Sequence, residues 1–223
     1  MARLPRLVLP GHAHWVIQRG HGGRPVFVDQ VDREAFLGAL RDAATACSVQ
    51  VLAWGLPSDE VQLLLVPASS AGVAQLVQAV GRRYVSAYNR RHGCAGTLWD
   101  GRFRCAALEP GAVLLELMTA IDALPLPAGQ TSLEMRLASQ RDPLLSDPQE
   151  FWALGNTPFD REAAYRRRVA EGVPAGRLSA WRLAALGGWA IGGDGFLALA
   201  AQTTARPSRP RRAGRPRSAT RRG

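Results

Sequence analysis

The sequence predicts an α+β fold: an antiparallel sheet with helices on one face, followed by a smaller, mostly helical region. Three observations lead there. Short apolar runs alternate with period two, longer stretches with helical spacing lie between them, and beyond residue 125 only the helical pattern continues. His14 to Arg19 (HWVIQR) is the first expected strand, with Trp15 and Ile17 on one side. Gly20, Gly22, Gly23 and Pro25 then break the chain. Asp29 supplies a capping carboxylate for a helix whose stripe is Phe36, Leu37, Leu40, Ala43, Ala44 and Cys47.

Val49 to Trp54 and Val61 to Val66 are the next two strands, with Pro57 and Ser58 in the turn between them. A second helix is expected from Gly72 to Arg91, burying Val73, Leu76, Val77, Val80, Tyr84 and Tyr88. Arg102 to Leu108 is a fourth strand and Gly111 to Ala123 a third helix. The order βαββαβ followed by α is the split βαβ, ferredoxin-like arrangement. Residues 1–125 are therefore expected to form the sheet domain and 126–141, with LPLPAGQTS, a linker. Residues 142–203 form the helical C-terminal region, with a helix around Arg161 to Glu171, and 204–223 a disordered arginine-rich tail.

Charge separates the two ends of the chain. The net charge is +10, and all 28 basic residues are arginine. Eight arginines and no acids follow from Arg206 onward, leaving twenty arginines against eighteen acids in residues 1–205. A polycationic tail on a nearly neutral body points to a polyanionic partner, and no amphipathic basic helix accompanies it to suggest a membrane surface. No apolar run reaches the length of a membrane span, and three scattered cysteines (Cys47, Cys94, Cys105) suit a reduced, cytoplasmic setting. His12 and His14 have no further Cys or His nearby and read as a strand entry rather than a metal site.

Within the tail, Arg212 to Arg217 reads RAGRPR, the Gly-Arg-Pro core of an AT-hook. Pro216 fixes an extended backbone and Gly214 permits close approach to a groove floor. Arg211, Arg212, Arg215 and Arg217 are then placed to enter a narrow A·T minor groove. As a generic basic tail, the same segment binds duplex DNA without sequence preference. If all eight tail arginines met phosphates, log affinity against log salt would have a slope of about −7.

Several local sequences are more specific. The opening ARLPRLVLPGHAHWVIQRG, the helix with GRRYVSAYNRRHG and the segment TLWDGRFRC resemble the REP-associated tyrosine transposases, which belong to the HUH single-strand DNA endonucleases. DPLLSDPQEFWALGNTPFDREAAYRRRV, GGWAIGGDGF and RRAGRPR are similar to the C-terminal part of longer members. The resemblance implies the ferredoxin-like fold and recognition of hairpin-forming single-stranded DNA beside palindromic repeats, with a homodimer in some branches. It also implies cleavage by a tyrosine that becomes linked to DNA, with Mg²⁺ or Mn²⁺ held by two histidines spaced His-x-His on one strand.

At those positions this chain departs from the family. The histidine-bearing strand reads LPSDEVQLLL, which puts Glu60 and Gln62 in the histidine places. AIDALP puts Ala120 in the nucleophile's place, and alanine has no oxygen to attack with. Glu60 and Gln62 share a strand face and offer oxygens to a hard cation, or are ordinary polar residues. Tyr84 and Tyr88 belong to the core stripe, while Tyr165 is a candidate substitute nucleophile. DNA contact is expected from Arg82, Arg83, Arg90 and Arg91, with Arg102 and Arg104 at strand spacing, unless these form a merely solvated face. Trp99 is either a stacking platform for an unpaired base or a core residue. The leading expectation is a DNA-binding, cleavage-defective protein. The alternatives are a working metal-dependent nuclease with a substitute site, and an interaction protein or decaying gene product without a DNA role.

Overall fold

Alternation along four strands sorts the core into two layers. The computed structural model describes residues 5–138 and 142–210. Its sheet domain runs β1 (His14–Arg19), α1 (Gln30–Ala46), β2 (Val49–Gly55), β3 (Glu60–Pro67), α2 (Gly72–His92) and β4 (Arg104–Ala107). The strands pair antiparallel in the order β2-β3-β1-β4, the ferredoxin-like topology expected from the element order.

Val16, Val61, Leu63 and Leu65 face α1 and α2, meeting Phe36, Leu40, Leu76, Val80 and Tyr84. Asp29 caps α1 by accepting from the Asp32 N–H at 3.2 Å, and Gly93, at φ +63°, closes α2 in the left-handed conformation. Residues of the opposite parity, Trp15, Ile17, Leu64 and Ala106, face the other way. They are covered by α3 (Ala112–Asp122) and by Phe151, Tyr165 and Ala185 from α5 (Gln149–Trp152), α6 (Pro158–Glu171) and α7 (Ala175–Gly187). The short α4 (Leu133–Arg136) lies between α3 and α5 in the chain. The C-terminal helices thus occupy the sheet face that α1 and α2 leave open. Fully burying one such side chain contributes about 1.5–3 kcal/mol.

The fourth strand is shorter than expected. Arg102 lies ahead of β4, and Phe103 is buried against the α1/α2 layer. The paired glycines of GGWAIGGDGF end α7 and delay α8 (Asp194–Thr204). Between these helices, the Ile191 N–H donates to the Ala107 carbonyl at 2.8 Å, and the Glu109 N–H donates to the Ile191 carbonyl at 2.9 Å. Beside β2, the Ser146 N–H donates to the Val51 carbonyl at 2.9 Å. No helix among the described residues is long and apolar enough to cross a membrane.

The order also extends into the segment assigned from composition to a disordered tail. Arg206 is buried, and its guanidinium donates to the Pro5 carbonyl at 2.7 Å and the Gly188 carbonyl at 2.8 Å. Composition misplaced this boundary because it does not show that two loop carbonyls await a donor. Arg211, Arg212, Arg215 and Arg217, with the AT-hook-like core, lie outside the described residues.

Gly20 ends β1 where no side chain fits. A Cβ there would lie 2.1 Å from the Arg24 carbonyl oxygen and 2.9 Å from Val26 Cγ1. Gly20→Ala is expected to cost about 1–3 kcal/mol through overpacking. The loss should appear as a lower urea midpoint with an unchanged denaturant slope; an unchanged midpoint would contradict the close approach.

Candidate functional site

The register of β1 on β3 sets the site. Arg19 lies opposite Glu60 and Ile17 opposite Gln62, so all four side chains share the face toward α7. Glu60 and Gln62 are both buried. Arg19 Nε donates to Glu60 Oε2 at 3.0 Å, and Arg182 Nη2, reaching over from α7, donates to the same oxygen at 2.5 Å. Gln62 Nε2 donates to Glu60 Oε1 at 2.9 Å.

Both oxygens of Glu60 are therefore engaged, and two guanidinium charges stand where a cation would have to sit. At about 4 Å and an effective dielectric of about 20, each pair of like unit charges repels by about 4 kcal/mol. Among the described residues, no group of three His, Cys, Asp or Glu is placed to hold a metal. Glu60 and Gln62, bonded in this way, do not fit a divalent ion.

Ala120 is buried in α3 and presents only a methyl group. All three tyrosines donate their hydroxyls internally. Tyr84 donates to the Val26 carbonyl, Tyr88 to the Pro25 carbonyl at 3.1 Å, and Tyr165 to Asp122 Oδ2 at 2.6 Å. Tyr165 is fully buried, and burial together with the Asp122 charge pushes its phenol well above the ordinary value. No tyrosine lines the hollows around Arg19.

Asp122 belongs to a buried cluster. It accepts from Ser132 Oγ, from Tyr165 and from Arg136 Nε at 3.3 Å. Burial pushes its carboxyl up, against the opposing pull of Arg136, Ser132 and Tyr165. Arg136 also donates to Asp147 at 2.9 Å and to the Leu52 carbonyl. Leu52 is the extra residue of a bulge in β2, where the register jumps between Val51 and Ala53. The guanidinium thus serves a carbonyl that lies at the interruption of the ladder.

The arginines expected at the surface fall into two groups on opposite sides of the sheet. On α2, Arg83 pairs with Asp42, and Arg91 with Asp29 at 2.5 Å and Asp32 at 2.6 Å, tying α2 to α1. Arg91 holds the Asp29 carboxyl down at about 2. Arg82 and Arg90 are exposed on the same helix. Trp99 is a core residue beneath it, 6.3 Å from Tyr84 between ring centroids.

Arg102 and Arg104 lie across the sheet from these. Arg104 is in register with Ile17, on the α7 face, and lines a hollow with Arg19, Arg102 and Asp100. On one side, this hollow continues into a groove of about 430 Å³ lined by Arg6, Arg102, Arg104 and Arg206 beside Phe103 and Trp189. On the other, it continues past Asp59, Glu60 and Arg182. Along its length, six arginines face three carboxylates. Burial, with Arg102 and Arg104 nearby, lowers the Arg6 guanidinium below its ordinary value. The arrangement is a basic groove suited to phosphate groups.

Arg6, Arg19 and Arg182 were not singled out in the sequence, and Arg206 only as the start of the basic tail. For Arg19 a signal existed, since it follows Ile17 by two on a strand. Arg6, Arg182 and Arg206 reach the groove only through tertiary packing.

No family model matches the sequence, and no curated protein does. Solved structures similar to the chain include the following two. A REP-associated tyrosine transposase bound to a REP hairpin has 11% identity and a TM-score of 0.49, covering 71% of this chain and 96% of its own. A protein of Deinococcus radiodurans R1 assigned as a transposase has 24% identity and a TM-score of 0.38, covering 49% of this chain and 88% of its own.

Proposed function

We propose that the chain is a DNA-binding protein of the REP-associated tyrosine transposase kind that holds hairpin-forming single-stranded DNA without cutting it. The observation that carries this reading is the basic groove running over β4 past Arg19, with six arginines against three carboxylates. The local sequences that resemble the transposases support it, and Arg211, Arg212, Arg215 and Arg217 add non-specific duplex affinity. Three features support the loss of cutting. Glu60 is neutralised by two arginines, Ala120 has no nucleophile, and each tyrosine hydroxyl is committed to an internal acceptor.

The test uses labelled hairpin DNA and random single strands at matched salt, because phosphate contacts make affinity strongly salt-dependent. The hairpin is expected to bind about tenfold more tightly, a difference of about 1.4 kcal/mol. With Mg²⁺ or Mn²⁺ present, no protein–DNA adduct should survive denaturation. A surviving adduct sinks the non-cutting part, and equal binding of both strands sinks hairpin recognition.

A further inference from the structure

We propose that Glu60 is a positioning residue that holds Arg19 beside Arg102 and Arg104, and that these three guanidiniums form a metal-independent site for a nucleic-acid phosphodiester. The proposal rests on the nucleic-acid reading above. A surface arginine left to itself samples many rotamers and contributes little on average. Arg19 does not have that freedom. Its Nε is bonded to a buried carboxylate on the neighbouring strand, while its side chain stays 48% exposed. A guanidinium carries five N–H donors, and among the described residues only Nε of Arg19 has an acceptor.

The second part concerns charge. Held by Glu60 alone, Arg19 would be half of a neutral pair. Arg182 changes that by bonding the same carboxylate oxygen from α7, so the three groups together carry one net positive charge. Arg102 and Arg104 line the same hollow, are exposed, and make no ion pair with a described residue. The hollow holds about 230 Å³ between Ile17 and Leu186, and Asp100 is its one acid. Three like charges brought together with one counter-charge form a site that an anion completes, and arginine's planar fork suits a phosphate oxygen pair.

The test sets two carboxylate neutralisations against each other. Charge counting alone makes both Glu60→Gln and Asp100→Asn bind DNA more tightly, since each removes a negative charge. The positioning role makes them diverge. The probe is a short fluorescent oligothymidylate, measured by anisotropy in EDTA over a range of salt. The full-length chain carries Gln in place of Arg211, Arg212, Arg215, Arg217, Arg221 and Arg222, so that the tail does not mask the groove.

Glu60→Gln is expected to weaken binding about fivefold, whereas Asp100→Asn tightens it. Arg19→Ala and Arg104→Ala should each weaken it about tenfold and reduce the salt slope by about 0.7, the value for one single-strand phosphate contact. Arg182→Ala, at a half-buried position on α7, should weaken binding as well, because Glu60 then neutralises Arg19 fully. It serves as the second reading if Glu60→Gln lowers the thermal midpoint. EDTA should leave the parent affinity unchanged. Tighter binding by Glu60→Gln, as charge counting alone gives, or loss of parent binding in EDTA, overturns this site alone. Failure of the unmodified chain to bind any oligonucleotide overturns the nucleic-acid reading together with it.

Discussion

Arg136→Met is expected to lower stability by about 3–5 kcal/mol, the cost of removing one partner from a buried ion pair. The Arg136 side chain is fully buried with that of Asp122. Its guanidinium bonds Asp122, Asp147 and the Leu52 carbonyl, and lies over the rings of Phe151 and Tyr165. One side chain therefore joins the β2 bulge, the end of α3 and two C-terminal helices. Without it, the burial that pushes the Asp122 carboxyl up has lost its strongest opponent. Urea unfolding checks the expectation. Combining Asp122→Asn with Arg136→Met should cost less than the sum of the single changes, because the unpaired charge is then gone. A loss under about 1 kcal/mol for Arg136→Met alone would show that the cluster contributes little.

The second large effect is a dependence on pH. His14 is fully buried; its Nε2 accepts from the Leu9 N–H at 3.0 Å, which leaves Nδ1–H to donate to the His12 carbonyl at 2.8 Å. A protonated ring would have two donors and no acceptor for Leu9. Burial is the main reason the ring's pKa falls from 6.5 to about 4. Above pH 6.5 the ring is neutral in both folded and unfolded chains, and its contribution is fully present. Between 6.5 and about 4 the unfolded chain takes up a proton that the folded one refuses, so stability falls. The total is roughly 3 kcal/mol, from about 1.36 kcal/mol per unit. In His14→Gln, whose amide oxygen can accept from Leu9, the plot of unfolding free energy against pH should flatten by close to one proton over this window. An identical slope in the variant would mean that His14 titrates normally.

Both effects involve residues that differ in how far the sequence exposed them. The strands and the two long helices were legible because period two and period 3.6 are imposed by backbone geometry, and the pattern of Trp15 and Ile17 on one face held. Glu60 and Gln62 were placed on one face by the same rule. Their environment was not legible. Arg182 lies 122 residues from Glu60, and nothing in the local sequence of α7 reveals that it bonds a carboxylate on β3.

The α2 arginines show the converse. Arg83 and Arg91 stand on an outward face, yet Asp42 and Asp32 of α1 and its cap Asp29 engage them, because two helices packed side by side bring their flanks together. Arg102 and Arg104 were named with them, but the sheet lies between, and spacing along a chain carries no information about which layer a distant segment joins. His14 was read as a strand entry, which it is. Its buried acceptor role depends on Leu9 turning back over it.

The segments that run beside the outer strands limit how two copies could meet. Ile191 takes up the Ala107 carbonyl beyond β4, and Ser146 takes up the Val51 carbonyl beyond β2. Each outer strand thus has part of its hydrogen-bonding rim occupied by its own chain, and a second molecule cannot simply extend the sheet there. A second copy pairing at either of these points would first have to displace the chain's own segment.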